Sequence, residues 1–221
     1  MTDTVQVDLP TGVTSVRVAT MVPEDAWAVV AVAHGAGSSF DHPGVTGFTD
    51  AVNTAGIATV RFTFPYVEAG RRMPGPAAHA ISTWHAIGDR IAADLPDLPF
   101  FAAGRSYGGR MASMATADGA LSPRGLVYLG YPLHPPGKPD RPRVEHLPVI
   151  PAPQLFVSGT RDPFVRPREQ LEEAVASCRD ATLHWVEGAG HAFETTGRRI
   201  PAAESAAALA PVVVDWMRAR A

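Results

Sequence analysis

Pro99-Phe100-Phe101-Ala102-Ala103-Gly104-Arg105-Ser106-Tyr107-Gly108-Gly109 is the stretch that decides the fold. Pro99–Ala103 is a short apolar run suited to a strand, and the small residues that follow Gly109, to about Ala117, predict a helix. Between them lies G-x-S-x-G. A serine at a sharp strand-to-helix turn is held in a strained backbone conformation that lifts its Oγ clear of the sheet edge. Side chains two residues before or after it would collide with neighbouring backbone, so Gly104 and Gly108 are expected for their lack of one. The helix N-terminus beneath adds partial positive charge where an anion develops on attack. The bare pattern is short and permissive, and a tight turn with an N-cap serine satisfies it too. The strand–turn–helix setting gives it weight.

Working outward, the chain alternates strands with helices. Val5, Val7 and Leu9 alternate with polar residues, Pro10-Thr11-Gly12 turns the chain, and Val16 and Val18 resume the alternation. This predicts an antiparallel pair at a sheet edge. Trp27–Ala33 is continuously apolar, as a strand buried on both faces requires. Val45, Phe48, Val52 and Ala55 have helical spacing, with Gly56 placed to end the helix. Ile57–Phe64 reads as a strand, Pro65–Pro76 as an irregular excursion, and Ala78, Ile81, Trp84, Ile87 and Ile91 mark a helix. Gly125–Leu129, Gln154–Ser158 and Thr182–Val186 read as strands. Residues 132–152 form a Pro-rich connection. Pro167–Cys178 reads as a helix with Pro at its first position, and Ala202–Arg218 as a helical region kinked or split at Pro211. Strands alternating with helices predict an α/β fold, a mostly parallel sheet of about seven or eight strands covered on both faces. With no internal repeat or linker, residues 1–221 are expected to form one domain.

A serine nucleophile needs a base, and the base needs an orienting carboxylate. In doubly wound hydrolases they follow in the order Ser, acid, His. The strand ending at Ser158 runs into Gly159-Thr160-Arg161-Asp162-Pro163, and the next into Glu187-Gly188-Ala189-Gly190-His191. Ser106, Asp162 and His191 thereby fall beyond the carboxyl ends of strands, where open α/β sheets bind ligands. An acid from the preceding strand end is ruled out, because that position reads Gly130-Tyr131-Pro132. Asp140 and Asp180 are badly placed, and His184 alternates within its own strand. His42, His79, His85, His134 and His146 lack metal-ligand spacing and read mostly as surface or loop residues.

Two backbone donors should hold the developing oxyanion. The N–H of Tyr107 directly follows the nucleophile, and the loop His34-Gly35-Ala36-Gly37 after the third strand offers that of Ala36. As a dinucleotide cradle the same loop fails, since Phe40 stands where G-x-G-x-x-G needs its last glycine. Gly35, Glu68, Arg71 and Arg72 are candidates for the pocket rim. If the arginines face the pocket, an anionic substrate group is favoured; the competing reading is a solvated loop with local ion pairs.

Composition narrows the rest. The chain is 46% hydrophobic and 19% charged with net charge −3, and Lys138 is its one lysine. No like-charge block exceeds the Arg71-Arg72 and Arg198-Arg199 pairs, so no nucleic-acid partner is expected. The longest apolar run, Ala26–Ala33, is far short of the ~20 residues that span a bilayer. No secretory leader is read at the start, so a cytoplasmic location with no membrane partner is expected. Cys178, the single cysteine, cannot form an internal disulfide and reads as core filler at helical spacing from Leu171 and Ala174. No metal or cofactor is expected.

The chain resembles the α/β-hydrolase superfamily over nearly its whole length. More narrowly, it is similar to small hydrolases related to testis-expressed protein 30 and to the hydrolase-like domain of the NSL chromatin-complex subunit. The resemblance is carried by His34–Gly37, Phe64-Pro65-Tyr66 with Glu68 and Gly70-Arg71-Arg72, Gly104–Met111, Gly130–Lys138 and Gly159–Asp162. Arg105 and Tyr107 stand where relatives often have Lys and Met. The resemblance implies a Ser106–Asp162–His191 triad on a minimal core. Residues 132–152, where a lid would be inserted, are few and their prolines disfavour a helical cap. The expected activity is hydrolysis of a carboxylic ester or related acyl substrate. Two alternatives stay open: a catalytically silent interaction module, and an acyltransferase using the same triad.

Overall fold

Alternating valines make the first two strands, and the computed structural model, which describes residues 2–195 and 200–221, pairs them through Pro10-Thr11. The Arg198-Arg199 pair lies outside the described residues. β1 (Thr2–Leu9) lies at the sheet edge against β2 (Gly12–Met21). Then come β3 (Ala28–Ala33), α1 (Pro43–Thr54), β4 (Ile57–Phe62), α2 (Pro65–Glu68), α3 (Ala77–Asp94), β5 (Phe100–Arg105) and α4 (Tyr107–Ala117). The chain continues through β6 (Gly125–Leu129), β7 (Gln154–Gly159), α5 (Glu169–Ala176), β8 (Ala181–Val186), α6 (Ala202–Ala207) and α7 (Ala210–Arg218).

One eight-stranded sheet runs in the order β1-β2-β4-β3-β5-β6-β7-β8. β2 is antiparallel to both β1 and β4, and the pairs from β4 to β8 are parallel. The fold is therefore the α/β-hydrolase arrangement, a mixed, mostly parallel sheet between helices. Period-two geometry splits each central strand between two cores. Val29, Ala31 and Ala33 of β3 pack with Trp84 and Ile87 of α3 and Met111 of α4, while Val30 and Val32 pack with Phe48 of α1 and Val213 of α7. That two-sided burial is why these strands are continuous apolar runs.

Two local expectations need correction. Pro65–Pro76 is not wholly irregular, since Pro65 opens the single helical turn α2, where its missing N–H costs nothing. α5 begins at Glu169 rather than Pro167: the Gln170 N–H donates to the Pro167 carbonyl at 3.3 Å and that of Leu171 to Arg168 at 3.0 Å, so the chain enters through a tighter turn. His134 is fully buried, its ring nitrogens 2.8 Å from the carbonyls of Pro135 and Arg166, so it ties the Pro-rich connection to the segment before α5. The C-terminal helical region splits as its proline dictates, with Pro211 in the first turn of α7.

Candidate active site

Ser106 stands between β5 and α4 with φ 48° and ψ −112°, a left-handed conformation that a side-chain-bearing residue adopts only where its surroundings impose it. The surroundings here are two glycines. A Cβ on Gly104 would strike the backbone of Gly108 and Gly109, and one on Gly108 would lie 2.6 Å from the His34 carbonyl oxygen and 2.7 Å from Ala33 Cβ. The indole N–H of Trp84 donates to the Gly108 carbonyl at 3.3 Å, fastening the turn to the α3 core.

Ser106 Oγ is 2.9 Å from His191 Nε2, and His191 Nδ1 is 2.7 Å from Asp162 Oδ2. Asp162 is fully buried, and its other oxygen accepts the Phe164 N–H at 2.8 Å. The Phe164 ring stacks on the His191 imidazole at 4.1 Å between centroids and 28° between planes. Side chains from the loops after β5, β7 and β8 thus meet in one hydrogen-bonded line. Gly130, at the end of β6, has φ 74°, and a Cβ there would lie 3.2 Å from the His191 carbonyl and 3.5 Å from its Nδ1. The strand end that lacks a carboxylate is therefore also the one the imidazole crowds.

The loop after β3 closes over this line from the other side. A Cβ on Gly35 would be 3.8 Å from Ser106 Cβ, and Gly35 and Ala36 both border the cavity of about 530 Å³ that holds Ser106 and His191. Among the described residues the Ala36 N–H donates to no backbone carbonyl, and the first N–H groups of α4 have no partner within the helix. The buried His34 holds the loop in place: its Nδ1 lies 2.8 Å from the Gly35 carbonyl, and its Nε2 accepts the Phe64 N–H at 3.3 Å. Burial pushes its pKa down to about 4, so the ring is neutral. Because the folded value lies below the unfolded one, protons bind the unfolded chain first as pH falls. Stability present above pH ~6.5 is lost progressively as pH drops to about 4, by roughly 3 kcal/mol from this group. Urea denaturation at pH 7 and pH 4.5 should show a smaller loss in His34→Gln than in wild type. Burial shifts His42 and His146 in the same direction, and the comparison subtracts them.

The rim candidates divide. Gly35 borders the cavity, but Glu68, Arg71 and Arg72 do not. Glu68 turns away to β2, pairing with Arg17 at 3.0 Å and accepting the Thr63 hydroxyl. Arg71 borders a neighbouring cavity of about 190 Å³ with Tyr66, His79 and Tyr107, and Arg72 is exposed. Met73, Pro74, Arg110, Arg143 and Phe164 line the Ser106 cavity instead. Of these, Arg110 was open to prediction, since it lies one helical turn beyond Ser106 on the same face. Arg143 and Phe164 lie in aperiodic segments that carry no such signal. Among the described residues no cluster of His, Cys, Asp and Glu could hold a metal ion, and no helix is long and apolar enough to cross a membrane.

Comparison with solved structures gives the same architecture. A dienelactone hydrolase from Anabaena variabilis superposes with a TM-score of 0.76 at 23% identity, covering 100% of this chain and 98% of that one. An α/β serine hydrolase without a lid from Xanthomonas campestris gives 0.70 at 23% identity, covering 97% and 94%. Est1E from Butyrivibrio proteoclasticus, with ferulic acid bound, gives 0.73 at 14% identity, covering 96% and 99%. At these identities the likeness speaks for the fold. The family model described as Alpha/beta hydrolase domain matches residues 26–217, which include the serine turn, His191 and Asp162. The chain therefore belongs to the alpha/beta hydrolase domain family.

Proposed function

We propose that the protein is a serine hydrolase cleaving a carboxylic ester or related acyl substrate through an acyl-enzyme, with Ser106, His191 and Asp162 as its triad. The observation that carries this reading is the line Ser106 Oγ–His191–Asp162, joined at 2.9 and 2.7 Å and anchored on a serine with positive φ. His191 Nε2 takes the hydroxyl proton as Ser106 Oγ forms a bond to the acyl carbon. Asp162 holds the Nδ1–H tautomer and stabilises the imidazolium. The backbone N–H groups of Tyr107 and Ala36 hold the carbonyl oxygen as it becomes an anion. The carbon–oxygen bond to the leaving group then breaks, and His191 returns the proton to the departing alkoxide. Water repeats the sequence on the acyl-enzyme, releasing the acid and restoring the Ser106 hydroxyl.

An open site fits this chemistry on small, soluble acyl compounds. Residues 132–152 contribute only a 3-10 turn at Leu147–Val149 and no helical cap. The narrower kinship with small hydrolases related to testis-expressed protein 30 and the NSL subunit domain belongs to this proposal and rests on Gly130–Lys138. So does the assignment of residues 1–221 to one cytoplasmic domain.

Stopped-flow mixing with p-nitrophenyl acetate tests the reading. A burst of nitrophenol equal to the enzyme concentration, followed by slower turnover, is expected. Its absence, together with no steady-state hydrolysis of short acyl esters, contradicts the proposal. A burst that turns over only when an added alcohol or amine accepts the acyl group identifies an acyltransferase.

A further inference from the structure

Arg110 follows Ser106 by one turn of α4, so both side chains face the same cavity. Arg143 reaches it from the connection between β6 and β7, where its carbonyl accepts the Tyr131 hydroxyl at 2.7 Å. Among the described residues neither guanidinium forms an ion pair. Arg110 Nε is buried with no hydrogen-bond partner among them. A buried cationic donor left unmatched is unfavourable, and a second cation within electrostatic reach makes it more so. Burial, and then the Arg110 charge, hold the Arg143 guanidinium below its ordinary pKa.

Among the described residues no acidic side chain lines the cavity beside the pair. His146, which packs its Nε2 2.7 Å from Ser113 Oγ, is held below its ordinary pKa by burial and then by Arg110. Glu145 and Asp118 act on His146 electrostatically, but neither lines the cavity. Arg105, a third arginine on the wall, already has the charge of Glu194 acting on it. The remaining wall includes Met73, Pro74 and Pro132, which suit an aliphatic chain.

We propose that Arg110 and Arg143 form an anion-binding subsite of the Ser106 cavity, and that the natural ester carries a carboxylate joined to the scissile carbonyl by a short aliphatic chain. The chemical class is a monoester of a dicarboxylic acid. This deepens the hydrolase reading and rests on it. A guanidinium pair presents several N–H donors to the two oxygens of one carboxylate, and charge-assisted bonds of this kind are about twice as strong as neutral ones. The subsite thus supplies the discrimination that an uncapped site would otherwise lack.

Matched pairs test it: the monomethyl esters of succinate, glutarate and adipate against methyl butanoate, pentanoate and hexanoate. In at least one pair kcat/KM should favour the charged ester by about 10–100-fold. That ratio should fall about tenfold in Arg110→Gln and in Arg143→Gln, chiefly through KM, with partial recovery in Arg110→Lys. Removing an exposed charge from the same connection, in Arg141→Ala, should leave the ratio unaltered. In Ser106→Ala, which does not turn over, the favoured monoester should raise Tm, and Arg110→Gln should abolish that rise. Ratios near one for all pairs in wild type, ratios unmoved by both Gln variants, or no arginine-dependent Tm rise would each overturn the subsite. Fluorophosphonate labelling of the same preparations separates the two claims. Ser106 labelled without charge preference removes the subsite alone, and an unlabelled Ser106 removes the hydrolase reading with it.

Discussion

Ser106→Ala is expected to lower kcat for ester hydrolysis by about 10⁶-fold, and His191→Ala by a similar factor. The double variant should be scarcely worse than either, because the two act as a unit. The size of the effect follows from what each removal leaves. Without Oγ no acyl-enzyme forms, and without the imidazole Oγ keeps its proton. The residual rate comes from substrate binding and the backbone donors alone. Folding should survive both changes, since the turn is imposed by Gly104 and Gly108 rather than by the hydroxyl. Near-wild-type Tm with activity reduced by less than a hundredfold in Ser106→Ala would show that another group performs the attack.

Asp162→Asn is expected to lower kcat by about 10⁴-fold while leaving the protein folded. Asp162 is fully buried and accepts both His191 Nδ1 at 2.7 Å and the Phe164 N–H at 2.8 Å. An amide retains one acceptor oxygen, so one of those contacts survives. If the oxygen stays with Phe164, the NH2 group faces His191 and favours the tautomer with its proton on Nε2, which cannot take one from Ser106. The loss should therefore appear in kcat more than in KM. A loss below tenfold would assign Asp162 to capping the turn at Pro163–Val165 rather than to orienting the imidazole.

The order of elements and the meeting of three loops were legible because each rests on a local signal. Continuous apolar runs such as Ala28–Ala33 can be satisfied only by burial on both faces, and parallel strands bring their carboxyl ends to one edge. Ser106, Asp162 and His191 follow such ends, so chain position alone brought them together. The rim was not legible. Glu68 also follows a strand end, yet it is turned away by Arg17, a residue 51 positions earlier that no periodicity links to it. Arg143 enters the cavity from a Pro-rich path whose direction depends on contacts such as Tyr131 with its carbonyl and buried His134 with Arg166. Those are tertiary facts, set by the fold as a whole.

The most direct test of the central claim is labelling with a fluorophosphonate probe, followed by mass analysis of the peptide that carries the adduct. One probe per chain is expected, on Ser106, in wild type, with none in Ser106→Ala and strongly slowed labelling in His191→Ala. Wild-type protein that is folded yet takes up no probe at Ser106 would contradict the account and leave the chain a hydrolase-like binding module.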